Sequence, residues 1–198
     1  MKNISEIIGG RLEIKINEIN QGEIFKNKDF YVEAKELEHS TKVYGYSFVE
    51  NDKRKINLSY LKKFELKKHP LLGELQRGND IVYNNKKIKA KDATILVKGK
   101  RLTIITDTRY CDNAVKLAKD SDLLICECTF SKELKDKAKE YCHLTTEDAA
   151  TIAKKSGSNK LILTHFSQRY PNVDFLVKEA KKIFKNTIDA KDFMKVKI

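Results

Sequence analysis

A chain of 198 residues with 40% hydrophobic and 34% charged residues holds enough apolar material for one sizeable core, and too little for a second independent domain. No apolar run approaches the roughly 20 residues that cross a bilayer. The opening MKNISEIIGGRLEIKINEI has no basic start followed by a continuous apolar stretch, and four cysteines are too few for a disulfide scaffold. Membrane-spanning, secreted and disulfide-framework classes are therefore set aside for a cytoplasmic α/β protein whose net charge of +12 calls for an anionic partner, nucleic acid before membrane surface.

In chain order, the first hundred residues alternate apolar and polar positions in short runs: LEIKI, FYVEAKEL, VYGYSFV and IVYNN. They are separated by turn-forming NQG, NKD and RGND, so this half reads as mainly β. After Arg101 the texture changes to alternating units. LTIIT, DLLICECTF, KLILTHF and FMKVKI read as strands; CDNAVKLAKD, SKELKDKAKEYC, TTEDAATIAKKSG and VDFLVKEAKKIF read as helices. That alternation predicts an α/β layer architecture. Thr145 with Thr146, Glu147 and Asp148 suits a helix start, because hydroxyls and carboxylates satisfy the free N–H groups there, and Gly157 suits its end.

Two stretches carry most of the positive excess. Residues 51–69 hold seven Lys or Arg against two acidic residues, and residues 84–101 hold seven against one. They are either a solvated lysine-rich surface or a phosphate-binding one. The Cys126-x-Cys128 pair lacks zinc-ribbon spacing, and its alternation within DLLICECTF points to two small side chains packed on one strand face.

Metal-competent residues stand where the apolar strands run out. Asp107 ends LTIITD, Glu127 closes LLICE, His143 lies in the turn between two helices, and His165 ends LILTH. Sites in open α/β sheets form beyond the carboxyl ends of strands, so the four residues can converge. Each also has an ordinary structural role open to it: a turn cap for Asp107, a satisfied buried acid for Glu127, a helix cap for His143, a hydrogen-bonded core imidazole for His165.

The strings ITDTRYCDNAVKLAKDSDLLICECTF and HLTTEDAATIAKKSGSNKLILTHFSQRY resemble the C-terminal motifs of ribonuclease Z, a zinc-dependent tRNA 3′-processing endonuclease of the metallo-β-lactamase superfamily. Upstream, FYVEAKELEHSTKVYGYSF and HPLLGELQRGNDI resemble that family's strand ending in His before a Gly-Tyr strand, and its Pro/Gly segment. The resemblance covers roughly residues 12–198. It implies an αββα sandwich, here one partial domain spanning 1–198 that lacks the N-terminal metal motif. It implies further that Asp107 bridges two zinc ions and His165 binds one of them, that Glu127 orients His143 for proton transfer to the leaving 3′-oxygen, and that Arg169 meets phosphate. His39, Gly73 and Gly78 match regions close to the substrate's acceptor end. Precursor tRNA is the implied partner, a homodimer the implied assembly, and no membrane is involved.

The chain departs from the family pattern in one large respect. The H-x-H-x-D-H motif that supplies most zinc ligands is absent, and the four histidines are His39, His69, His143 and His165. Asp107 and His165 cannot by themselves hold two zinc ions, since even one catalytic site takes about three protein ligands. Smaller departures are Thr106, Cys126 and Leu144, where the family prefers Gly, His and Ser. The expectation is a weak metal binder, either a tRNA-trimming endoribonuclease in incomplete form or a non-catalytic tRNA-binding relative or partner subunit. A superfamily hydrolase acting on a small ester is the weaker third reading.

Overall fold

A computed structural model describes residues 17–198; the LEIKI run, expected as the first strand, lies outside them. Period-two alternation builds β1 (Gly22–Lys26), β2 (Phe30–Leu37) and β3 (Val43–Glu50) into an antiparallel meander. The first turn is closed by Asn27, whose side-chain oxygen accepts from the backbone N–H groups of Asp29 and Phe30. The chain then leaves the sheet through β4 (Lys53–Ile56). It passes through a β5–β6 hairpin (Ile81–Tyr83, Lys86–Ile88) and comes back along β7 (Thr94–Val97), which pairs with β4. β8 (Arg101–Ile105) rejoins β3 antiparallel, and β9 (Leu123–Glu127), β10 (Leu161–Thr164) and β11 (Thr187–Asp189) follow in parallel. Among the described residues the result is a seven-stranded sheet in the order β1-β2-β3-β8-β9-β10-β11.

The helices Asp112–Leu117, Thr146–Ser156 and Asp174–Lys181 cover one face of this sheet, burying Leu37, Ile105, Leu124, Ile152, Leu161 and Leu163. A Cβ on Gly45 would stand 2.6 Å from Leu117 Cδ2, so the missing side chain lets the first of these helices approach β3. Beneath it, Ser47, Thr103 and Ser121 form a fully buried hydroxyl chain with links of 2.8 and 2.7 Å. On the opposite face Tyr46, Phe48 and Ile104 are each more than a third exposed. The helix expected from TTEDAATIAKKSG forms as Thr146–Ser156, with Thr145 and Asp148 in a reciprocal capping box and Gly157 closing it at φ 70°.

The structure differs from the sequence reading at two places. Between β4 and β7 the chain forms short helices at Leu58–Leu61, Leu71–Arg77 and Ala90–Ala93 rather than further strands. They enclose a second small core of Leu61, Leu66, Leu75, Ile81 and Ile88. Each helix is too short to show a helical period, which is why the turn residues around it dominate the pattern. The last strand is Thr187–Asp189, not FMKVKI. Pairing decides this, because Thr187–Asp189 lies in register against Leu161–Leu163, whereas Phe193 is wholly exposed and has no strand beside it among the described residues. No helix among the described residues is long and apolar enough to cross a membrane.

Cys111, Cys126 and Cys128 are buried in the main core, as the packing interpretation of Cys126-x-Cys128 requires, while Cys142 is partly open. Burial, followed by the charge of Glu127, pushes the Cys126 and Cys128 thiols well above the usual range. Brief treatment of the native protein with iodoacetamide near neutral pH should therefore modify Cys142 and spare the other three. Peptide mass mapping checks this, and labelling of all four thiols requires prior denaturation.

A candidate metal and proton-transfer site at the strand ends

Asp107, Glu127 and His165 follow or close the adjacent parallel strands β8, β9 and β10, whose carboxyl ends stand side by side. Between β9 and β10 the chain makes the helical segment ending at Glu140 and turns back at Cys142, which brings His143 over the end of β9. Donor atoms of Asp107, His143 and His165 come within 4.8 Å of one another. Nε2 of His165 lies 3.2 Å from Asp107 Oδ1.

Two of these residues hold left-handed backbone, with φ 51° at Asp107 and 56° at His165, and Cys142 just before His143 has φ 57°. Non-glycine residues there carry a cost of about 1–3 kcal/mol each and cluster at functional sites. The surrounding contacts hold them in place. Thr108 is fully buried, and its hydroxyl donates to backbone carbonyls of Arg109 or Glu38 while the Glu38 N–H donates back to it. Arg109 N–H also donates to the Glu38 carbonyl, so the loop bearing Asp107 is tied to the end of β2.

Glu127 lies at the centre of the arrangement. It is fully buried, and its Oε1 accepts from the Thr108 N–H at 2.7 Å and from His143 Nδ1 at 3.0 Å. Its Oε2 accepts from the Thr129 hydroxyl at 2.8 Å and from the Leu144 N–H at 3.1 Å. Each charge-assisted bond is worth about 1.5–3 kcal/mol, enough together to offset the several kcal/mol lost on burying a carboxylate. The satisfied-buried-acid role and the pairing with His143 are thus both present in one residue. His143 does not cap the following helix; Thr145 does. Nor does Asp107 cap the helix that follows β8, which begins after Cys111.

His39 joins the group from the end of β2. Its ring centroid is 5.2 Å from that of His143, which is 5.3 Å from that of His165, so three of the four histidines stand in a row. The Cys142 carbonyl accepts from His39 Nδ1 at 3.1 Å, leaving Nε2 as the free ring nitrogen. Arg169 is held over the Phe130 ring, 5.0 Å from its centroid, with Nε donating to Ser167. Phe130 in turn lies 6.2 Å from the His143 ring. Beside His143 opens a cleft of about 430 Å³ lined by the cations Arg109, Lys135 and Lys139, with Tyr110, Ala138 and Asp148. Gly73 and Gly78 lie on the Leu71–Arg77 helix and at its C-cap, where Gly78 takes φ 93°; this helix packs mainly on β4, β5 and the Ala90–Ala93 helix. Thr108 and Thr129, which connect Glu127 to the flanking loops, were not singled out from the sequence. Their only signal there is a hydroxyl beside each strand end.

The donor set is chemically suited to a metal ion: a carboxylate oxygen and two imidazole nitrogens are ordinary zinc ligands, and their spacing lets them turn onto one centre. No family model matches the chain. Among curated proteins it is 38% identical to ribonuclease Z of Archaeoglobus fulgidus, over 94% of this chain and 62% of that one. It is 39% identical to ribonuclease Z of Lactococcus lactis, over 97% of this chain and 65% of that one. The chain thus spans less than two thirds of the length of these relatives. Among solved structures, the short form of human tRNase Z matches at 27% identity and a TM-score of 0.52, covering 87% of this chain and 43% of that one. The metallo-β-lactamase fold protein YhfI of Bacillus subtilis matches at 18% identity and a TM-score of 0.53, covering 83% of this chain and 48% of that one, a likeness of fold alone. The fold is the metallo-β-lactamase fold.

Glu127→Gln keeps the side-chain volume but turns one acceptor into a donor that faces two donors. The variant should lose at least about 2 kcal/mol of stability, read as a fall of several degrees in the thermal midpoint.

Proposed function

We propose that the chain supplies the zinc- and substrate-handling part of a tRNA 3′-end-processing endoribonuclease, because it matches ribonuclease Z of Archaeoglobus fulgidus and of Lactococcus lactis along 94% and 97% of its own length. The observation that carries this reading is the convergence of Asp107, His143 and His165 around one buried carboxylate. Asp107 and His165 are the proposed zinc ligands, Glu127 and His143 the proton-transfer pair, and Arg169 with the Arg109–Lys135–Lys139 cleft the phosphate-facing cations. Zinc, when bound, supplies positive charge against the phosphate oxygens and acidifies the attacking water.

The chain's own groups account for the rest. Hydrolysis adds water across the bond between phosphorus and the 3′-oxygen, and that oxygen needs a proton as it leaves. With Nδ1–H donated to Glu127, His143 would deliver a proton from Nε2 to the leaving 3′-oxygen and end as the neutral Nδ1–H ring, while the proton lost by the attacking water passes to solvent. The lysine-rich stretches of the β4–β7 module, exposed and only partly paired as in Lys98–Asp52 and Lys87–Asp80, suit a polyanion. We extend the proposal to a homodimer on the family resemblance, to be measured by sedimentation, and to the 198 residues as part of one domain.

Among the described residues these three donors make at most one mononuclear site, so those residues should hold no more than one zinc, and cleavage should need donors beyond them. A second reading, a tRNA-binding relative without turnover, is favoured by that same count. Purified protein with added zinc and precursor tRNA separates the two: cleavage that Asp107→Ala abolishes supports the enzyme, binding without cleavage supports the relative. Robust two-zinc turnover by this chain would overturn the ligand assignment. Zinc titration by calorimetry also settles the role of His143. If His143→Ala leaves zinc affinity intact while stopping cleavage, the residue carries the proton; if affinity falls with it, His143 is a third ligand. Binding of tRNA should weaken steeply with salt, by about 10³-fold between roughly 50 and 200 mM where six phosphates are contacted, and a flat salt dependence would remove the lysine-rich surface from the interface.

A further inference from the structure

His143 takes its tautomer directly from Glu127, but His165 has no carboxylate on its Nδ1. What stands there is the hydroxyl of Thr129, 2.9 Å away, on a residue that is 8% exposed. That hydroxyl has one proton and three neighbours: Glu127 Oε2 at 2.8 Å, the His165 carbonyl at 3.1 Å and His165 Nδ1. The charge-assisted bond to Glu127 is the shortest and strongest of the three. Once the proton goes to Glu127, or to the carbonyl, only lone pairs remain for His165, so Nδ1 carries the hydrogen and, in the neutral ring, Nε2 is bare. Nε2 is the nitrogen facing Asp107.

We propose that Thr129 is a positioning residue that transmits the orientation set by Glu127 to His165, locking the ring in the Nδ1–H tautomer whose Nε2 faces the metal position. One buried carboxylate then fixes both imidazoles of the cluster, His143 in one step and His165 in two. The proposal rests on the metal site of the proposed function for its purpose, but not for its test. Ligating histidines commonly donate their other nitrogen to a carboxylate, carbonyl or water, and loss of that partner lowers metal affinity about 10–100-fold. Here a threonine relays the carboxylate instead, because Glu127 is already spent on His143, Thr108 and Leu144.

The test compares the full chain with Thr129→Val, which keeps the shape and removes the hydroxyl, and Thr129→Ser, which restores it. Long-range proton–nitrogen NMR correlations of metal-free protein, at a pH where the rings are neutral, show which ring nitrogen carries hydrogen. In the unaltered chain His165 should be protonated at Nδ1 and bare at Nε2. Thr129→Val should release that preference at His165 while His143 keeps its Nδ1–H, and Thr129→Ser should return His165 to it. Zinc affinity should fall about 10–100-fold in the valine variant and recover to within a few-fold in the serine variant. An Nε2–H ring at His165 in the unaltered chain overturns the proposal without any variant, so poor folding of Thr129→Val does not shield it. A simultaneous change at His143, or a loss that serine does not repair, also overturns it. Absence of zinc binding in the unaltered chain would count against the proposed function and leave the tautomer result standing.

Discussion

The carboxylate of Glu127 is the contact on which the rest of the site depends. It sits at the end of the central parallel strand with no exposure to solvent, and four donors from three separate segments close on it. Burying a charge there is tolerable only because all four bonds are made; in return, each segment is held at a fixed distance from one point. The loop after β8 is anchored through Thr108 and the turn before the Thr146–Ser156 helix through His143 and Leu144, while the loop after β10 is reached at one remove, through Thr129 just beyond β9, whose hydroxyl meets both Glu127 and His165. Asp107 and His165 project from those loops, so their spacing is a consequence of a group that need not itself touch metal or substrate.

That arrangement also explains how left-handed backbone persists at Asp107, Cys142 and His165. Each of the three would relax if its loop were free. The parallel strands beneath are packed by Leu124, Leu161 and Leu163, all fully buried, and the loops have little slack between the strand ends and Glu127. Strain is sustained by a rigid sheet below and a satisfied carboxylate above. The thiols of Cys126 and Cys128 lie in the same dry layer and keep it free of competing charge, since burial holds both protonated.

Chemistry and charge are divided between two parts of the molecule. The main sheet holds the convergent donors, while the module between β4 and β7 has its own small core and carries most of the lysine excess on its surface. Surface ion pairs such as Lys98–Asp52 are worth little individually, so the module's charge contributes little to stability; under the proposed function it would serve as a field for a polyanion. The cleft beside His143 adds Arg109, Lys135 and Lys139 at closer range.

Much of this could be read along the chain. Strand and helix alternation after Arg101 follows from local period, the Thr145 cap and Gly157 stop follow from backbone hydrogen bonding, and the candidate residues Asp107, Glu127, His143 and His165 stand out because polar groups end apolar runs. What the linear order withheld was depth and partnership. It could not show that Glu127 is buried while Asp107 and His165 are open, that Thr108 and Thr129 connect the loops to it, or that His39 stands in line with His143. Nor could it distinguish FMKVKI from Thr187–Asp189 as the last strand, since both can extend and only one finds a neighbour to pair with. By itself the sequence determined which residues could do chemistry, because residue type and local period are properties of the chain. Tertiary structure alone decided which of them share a carboxylate and which ring nitrogen is left bare, because hydrogen-bond partners far apart in sequence are chosen by the packing of strands and loops.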